Sequence, residues 1–377
     1  MTFKVHFSEE NWIRIRQDWS DWWAGDLDRP LIMVDGIDIS GKANFALSAV
    51  KKWLKIKNYT YWNLVNQPLP TLFPIEVSAE EVIEAYSGLL SSIRFYGDSW
   101  PRWWFNFGPG IIAGFLGARV NCTPTTVWFD SYDPVDISTW HPVYIPDNPW
   151  RKRIEKLTQL ALESWGEQLT LGFTDFGGNL DILASFRSTQ QLLLDIVDIP
   201  EVIERLVGEI TPVWLRYYNE FYGLIKQNCR GTTPWAHIWS AGRCYMYQSD
   251  FSYMISPKMF ERFVMPDLEA CCMALDHNFY HLDGKGAIRH LDMLLSIKRL
   301  NGIQWIPGDG APPPEEWLPL LKRIRDGGKL CQLYVSPQGA LRIIRELGGK
   351  GFALYVLQPM SPEDADGFLK QINLESL

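Results

Sequence analysis

Apolar and polar positions along the chain change period several times, and each change marks an element. At the amino end Trp12, Ile15, Trp19, Trp22 and Trp23 recur at helical spacing. Ser8 stands where an N-cap belongs, Glu9 and Glu10 fill the first turn, and Gly25 stops the helix. Arg29-Pro30 then leads into LIMVDGI, a short apolar run that predicts a strand. From about residue 41 to 165 the pattern is irregular. Helical stretches at 44–57, 79–92 and 151–166 alternate with Pro- and Trp-rich loops such as DSWPRWWFNFGPG and WHPVYIPDNPW.

Beyond residue 165 the pattern becomes regular. QLTLGF (168–173) predicts a strand, followed by helices near 187–195 and 200–225. TPWAHIWS (233–240) predicts the next strand, and 256–276 a helix with Ser256 as N-cap and Pro257 at its first position. Strands at 278–284, 302–308, 329–335 and 351–357 then alternate with helices at 287–296, 314–326, 337–347 and 361–373. Strand and helix alternate every 25 to 45 residues or so, the pattern of a parallel sheet. Six strands here and one near the amino end predict an α/β fold, a (β/α)8 TIM-type barrel with one strand unread. The expected organisation is one domain over 1–377: an elaborated, Trp-rich amino-terminal half (1–165) carrying the first strand, and regular β/α units over 166–377. A doubly wound open sheet is the rival, but no GxGxxG or GxxxxGK[ST] supports a nucleotide-binding version.

Composition narrows the function classes. The chain has 377 residues, 46% hydrophobic, with a formal charge of −8, which argues against a nucleic-acid partner. The basic run Arg151–Lys152–Arg153 is expected to be a solvated helix turn. No apolar leader or run long enough for a membrane span occurs, and the six cysteines show no CxxC pairing, so free thiols in a reducing cytoplasm are expected. The 18 tryptophans divide. Trp12, Trp19, Trp22 and Trp23 read as packing, whereas Trp103, Trp104, Trp239 and Trp305 sit where a pocket wall is expected. The Pro- and Trp-rich segment 98–150 is open to two readings, a lid or the surface of a homodimer.

Chemistry in such a fold gathers at the carboxyl ends of strands. Those positions carry Asp35; Asp175 and Asp181; Trp239 and Arg243; His281 and Asp283; Asp309; Tyr334; and Gln358. HLDG at 281–284 is the sharpest feature, because residues two apart on a strand share a face. His281 and Asp283 therefore suit two ligands of one metal, or a histidine beside a carboxylate; a buried histidine and a capping aspartate are the plainer alternative. Asp175 either bonds the Gly177-Gly178 turn or serves as an active-site carboxylate. Arg243 either binds a substrate anion or pairs with Asp250 or Glu261. His290 reads as structural, as do the adjacent Cys271 and Cys272.

MISPKMFERFVMPDLEACCMALD, followed by a strand ending in HLDG, resembles the carboxyl half of the uroporphyrinogen decarboxylase superfamily. The frame Ser256, Pro257, Phe260, Phe263, Pro266 and the stretch GFTDFGGNLDILASFRSTQQLLLDIVDIPEVIERL extend the resemblance over roughly 165–373. That superfamily also holds cobalamin-dependent methyltransferases. Asp35 and Asp38, after the first strand, would repel a polycarboxylate, so the resemblance lies nearer the methyltransferases than the decarboxylases. Those enzymes usually place His-x-Cys on this strand and a further Cys after the last strand, binding zinc. Here His281 matches, Asp283 takes the second position, and LQPMSPED offers Gln358 and Met360. A harder divalent, zinc-like ion on His281 and Asp283 is the version that fits.

The resemblance implies transfer of a methyl group from a small O- or N-methyl substrate to a separate corrinoid protein. This chain itself has no corrinoid-binding D-x-H-x-x-G. His281, Asp283 and Asp175 would be catalytic, and Asp35, Trp239, Arg243, Tyr334, Gln358 and Trp305 would contact substrate. Two alternatives stand beside it: a lyase or hydrolase acting on a small carboxylate or sugar by Asp/His acid–base catalysis, and a non-catalytic protein with an aromatic binding pocket.

Overall fold

The structure is a computed structural model and describes residues 3–38, 44, 47–49, 51–52, 75–122, 126–133, 135–227 and 230–375. The expected helix at 44–57 and Cys229 fall largely or wholly outside the described residues. The fold is mixed α/β around a seven-stranded sheet in the order β2-β1-β11-β10-β9-β8-β7. Its strands are β1 (Leu31–Ile37), β2 (Ile93–Gly97), β7 (Cys244–Tyr247), β8 (His277–Asp283), β9 (Gly302–Ile306), β10 (Leu330–Val335) and β11 (Phe352–Val356). Every neighbouring pair is parallel except β1–β2. β3 (Arg102–Trp103) pairs in parallel with β6 (Thr170–Leu171), and β4 (Arg119–Cys122) forms an antiparallel pair with β5 (Val127–Asp130).

The sheet buries both faces, and strand parity sorts its side chains. Ile32, Val34, Tyr280, Leu282, Ile303, Trp305, Leu333 and Leu354 pack in one core with the helices. Leu31, Met33, Cys244, Met246, Phe279, Leu330, Ala353 and Tyr355 pack in a second core. The amino-terminal helix Glu9–Ala24 supplies this second core with Trp12, Ile15, Trp19 and Trp22. Ser8 caps the helix through the Asn11 N–H, and Gly25 ends it at φ +79°, a conformation that glycine adopts without a Cβ clash.

Three sequence expectations need correction. First, 233–240 is a loop. Thr233 makes a single parallel bridge to Gly172, but Pro234 has no N–H to extend a ladder and Ser240 bridges back to Thr232. The strand lies further on, at β7. Second, the helix expected over 256–276 is two, Pro257–Phe263 and Met265–Ala274. Pro266 lacks the N–H that would bond the Arg262 carbonyl, and its ring would crowd that carbonyl. Third, the run at 151–153 is no solvated turn: Arg153 is buried, and Arg151 pairs with Glu155 and Glu220. No helix among the described residues is long and apolar enough to cross a membrane.

Candidate active site at the carboxyl ends of the strands

β8 lies between β7 and β9, all parallel, so their carboxyl ends open together. Residues His277, Phe279, His281 and Asp283 share one face of β8 by parity. Asp250 follows β7 after Gln248 and Ser249. The ligand atoms of Asp250, His281 and Asp283 all lie within 4.8 Å of one another. The protein packed around Asp250 pushes its carboxyl above the ordinary range; Asp283 adds to that shift and His281 opposes it. In front of the group is a cavity of about 330 Å³, lined by Asp250, Tyr253, Asp283, Lys285, Gly308 and Asp309. The ring of Trp235 meets that of His281 edge to face, at 5.1 Å.

Two more carboxyl groups stand behind Asp250. Asp175 is buried and accepts bonds from the Gly177 N–H at 2.9 Å and from Gln248 Nε2 at 3.2 and 3.4 Å. Burial drives its pKa well upward, and the charges of Asp250 and Asp181 add to the shift. Asp181 accepts the backbone N–H groups of Asp250 and Phe251 at 3.1 and 2.8 Å, and burial pushes it up to about 8. It thereby ties the start of helix Asn179–Arg187 to the segment that carries Asp250. Behind Asp175 the chain comes unusually close to itself. A Cβ on Gly177 would lie 2.5 Å from the Gly110 Cα, and the N–H groups of Gly110 and Ile111 bond the Asp175 carbonyl.

A polar chain continues along the inner face of the sheet. Asp35 is held by Arg102 at 2.8 Å, by the Tyr355 hydroxyl at 3.0 Å and by Ser99. His237 stacks on Tyr355 at 3.8 Å, and its Nδ1 meets the Tyr334 hydroxyl at 3.2 Å. Burial, with Arg102 nearby, pushes the His237 pKa well down, so this imidazole is neutral.

The structure thus brings His281 and Asp283 together, with Asp175 and Asp181 grouped beside them through Gln248 and Asp250. Asp35 and Tyr334 belong to the inner polar chain. Other candidates lie elsewhere. Trp239 is buried in the second core and donates to the Arg230 carbonyl, beside the amino-terminal helix. Trp305 packs on Trp317 in the helix-side core, because it has the opposite parity to the inward face of β9. Trp103 is likewise buried, against Tyr86. Arg243 precedes β7, at the amino end of that strand; it lies over Tyr222 and donates to the Ala274 carbonyl rather than pairing with Asp250 or Glu261. Gln358 is exposed on the loop after β11, and Asp309 lines the cavity mouth. His290 is structural: its Nε2 meets the Ser252 carbonyl and its ring stacks on Phe260.

Sequence reasoning missed Asp250 as a site residue, along with Trp235, His237, Arg102, Gln304 and Gln332. Asp250 leaves no sequence signal, because the strand before it, Cys244–Tyr247, is short and lies beside the longer aromatic run TPWAHIWS. Gln304 and Gln332 did leave a signal, each being a lone polar residue inside an otherwise apolar strand.

No family model and no curated relative matches the sequence. In structure the chain is similar to a methyltransferase from Methanosarcina mazei, with a TM-score of 0.58 and 11% sequence identity. The match covers 96% of this chain and 98% of that chain. The fold is shared with a methyltransferase. At this identity the likeness is one of fold, and the chemistry has to be argued from the site.

Proposed function

We propose that this chain is a methyltransferase of the uroporphyrinogen decarboxylase superfamily, on its corrinoid-dependent branch. It would take a methyl group from a small O- or N-methyl substrate and pass it to the Co(I) of a separate corrinoid protein. The observation that carries this reading is the Asp250–His281–Asp283 group at the carboxyl ends of parallel strands, in a fold shared with a methyltransferase. The proposal also closes the strands into an eight-stranded barrel. Its support is the parallel pairing of β1 with β11, the Gly172–Thr233 bridge beside β6, and the Arg102–Asp35 ion pair between β3 and β1.

When a methyl group leaves to a nucleophile, the bonding pair stays on the substrate's oxygen or nitrogen, and the site must stabilise that pair. Two carboxylates and one imidazole form a hard donor set able to hold a zinc-like divalent ion. Such an ion would supply Lewis-acid polarisation of the departing heteroatom. Among the described residues no cysteine joins this group. Cys271 is buried with its pKa pushed well up, and burial pushes Cys272 and Cys331 up to about 12. Asp175, whose carboxyl burial pushes toward the protonated form, would take part in orienting the heteroatom through the Gln248 and Asp250 side of the group, and Trp235 would hold the His281 ring edge to face.

The test is anaerobic incubation of the purified protein with cob(I)alamin and a panel of O- and N-methyl compounds. The readout is the change from the cob(I)alamin to the methylcobalamin spectrum. One or more donors should support transfer, and Asp250→Asn or His281→Ala should abolish it. Turnover of a carboxylate or sugar with no methylation of cobalamin would count against the proposal. It would favour the acid–base lyase or hydrolase reading, which the upward shift of the Asp175 carboxyl also suits.

A further inference from the structure

His281, Gln304 and Gln332 stand at one level on three neighbouring strands. The register pairs His281 with Gln304 and Gln304 with Gln332. Both glutamines are fully buried, at 0% exposure, in strands that are otherwise apolar. A buried amide has to satisfy an acceptor and two donors, so each of its neighbours constrains the next.

The resulting row of bonds has a direction, and its far end sets it. There Gln332 Nε2 donates to the Leu333 carbonyl at 3.4 Å, and a carbonyl can only accept. Gln332 Oε1 therefore turns toward Gln304 and must meet a donor. Gln304 presents its Nε2 to that oxygen. The same amide also bonds the Tyr334 hydroxyl. With its nitrogen so engaged, Gln304 turns Oε1 to His281 Nδ1. An oxygen acceptor at Nδ1 requires the hydrogen to be there, so in the neutral imidazole that a cation would bind the lone pair is on Nε2.

We infer that Gln304 and Gln332 are positioning residues that lock His281 in its Nδ1–H tautomer and aim Nε2 at the space between Asp250 and Asp283. The inference rests on the reading of that group as a cation site. An imidazole free in water favours the opposite tautomer, so the row imposes a state that His281 would not otherwise prefer. A carboxylate or carbonyl partner on the distal nitrogen is the usual way in which a metal-binding histidine is held. Here a neutral amide does that work, adding no charge to a mouth already crowded with carboxyl groups.

The test is 15N NMR of histidine-labelled, cation-free protein at neutral pH, with the His281 signals assigned by their loss in His281→Ala. Nδ1 should appear as the protonated nitrogen and Nε2 as the bare one. Gln304→Met should release the tautomer and weaken zinc or manganese binding, measured by calorimetry, about 10- to 100-fold. Gln304→Glu keeps an oxygen acceptor for Nδ1 though not the donor to Gln332, and should return the hydrogen to Nδ1 in the NMR readout, which separates positioning from simple loss of packing. Gln332→Met should give the same change, smaller. Protonated Nε2 in the wild type, or an unchanged tautomer in Gln304→Met, overturns the inference whether or not a cation binds. The expected tautomer without any cation binding upholds the lock and overturns the cation site.

Discussion

A single face of β8 runs through two opposite environments. At its amino end His277 stacks flat on Trp23, with ring centroids 4.1 Å apart, and Phe279 packs on Trp22. At its carboxyl end the same face presents His281 and Asp283 to Asp250. The first region is filled with aromatic rings from the amino-terminal helix: Trp19, Trp22 and Trp100 pack edge to face, and Trp23 Nε1 donates to the Trp239 carbonyl at 2.8 Å. The second crowds like charges together and opens to a cavity. Burial has opposite consequences in the two places. In one it is favourable contact between apolar surfaces; in the other it raises the free energy of carboxylates such as Asp175 and Asp181, which persist because hydrogen-bond donors come with them.

If this division is right, mutations at the two ends should separate stability from chemistry. Trp22→Ala should lower the free energy of unfolding by about 3–5 kcal/mol, the range for deleting a large buried aromatic side chain. Denaturant titration measures it, and cation affinity of the molecules that remain folded should not change. His281→Ala should do the reverse. Calorimetry should show zinc or manganese affinity reduced by at least about 100-fold, near 3 kcal/mol, while unfolding free energy falls by only about 1–2 kcal/mol, the cost of leaving Gln304 Oε1 without its donor. A Trp22 variant that is folded but has lost its cation would dissolve the distinction.

The two ends should also answer pH in opposite directions. Burial pushes the His277 pKa down to about 4. Between the unfolded value near 6.5 and that lower value, the unfolded chain binds the extra proton, so stability falls as pH falls. His277→Asn should remove about 1–2 kcal/mol of that acid loss, allowing for the partial exposure of the ring. Asp181 is shifted the other way, to about 8. Its folded state holds the proton longer, so stability falls as pH rises from about 4 through 8. Asp181→Asn should flatten that limb in thermal melts across pH, and added divalent cation should offset it only in the wild type. The smallest effect belongs to Trp23→Phe, which keeps the ring stack on His277 but drops one hydrogen bond, worth about 1 kcal/mol in thermal or denaturant unfolding.

The parts of the fold that were legible in the sequence carry strong local signals. The amino-terminal helix has a cap, a stop and a tryptophan stripe, and β1 matches LIMVDGI residue for residue. β8 to β11 alternate with helices at short spacing. β7 was hidden, because four residues, CYMY, give little pattern beside the longer aromatic run TPWAHIWS. That run has the composition of a strand but also Pro234 and a chain that turns back on itself. In the site, His281 and Asp283 were found by parity. Trp305 was misplaced by neglecting parity on its own strand, where a shift of one residue exchanges faces. Asp250 could not be found before β7 was located. The two glutamines were visible as polar interruptions, yet only the alignment of three strands shows that they form a row.

The pairing of β1 with β11 sets an order of events in folding. Asp35 on β1 waits for the Tyr355 hydroxyl, 320 residues later, and Trp23 waits for the Trp239 carbonyl, 216 residues later. While the chain is being synthesised, the first strand therefore has no parallel neighbour, and Trp22 and Trp23 of the first helix lack Phe279 and the Trp239 carbonyl. Contacts this distant are slow to form, and the apolar surface they leave open in the meantime is prone to aggregate. A chain halted before Phe352 would carry an intact Asp250–His281–Asp283 sequence but leave β1 paired with β2 alone, its other edge open. Completion of the sheet, rather than synthesis of the site residues, is then the step that makes the protein competent.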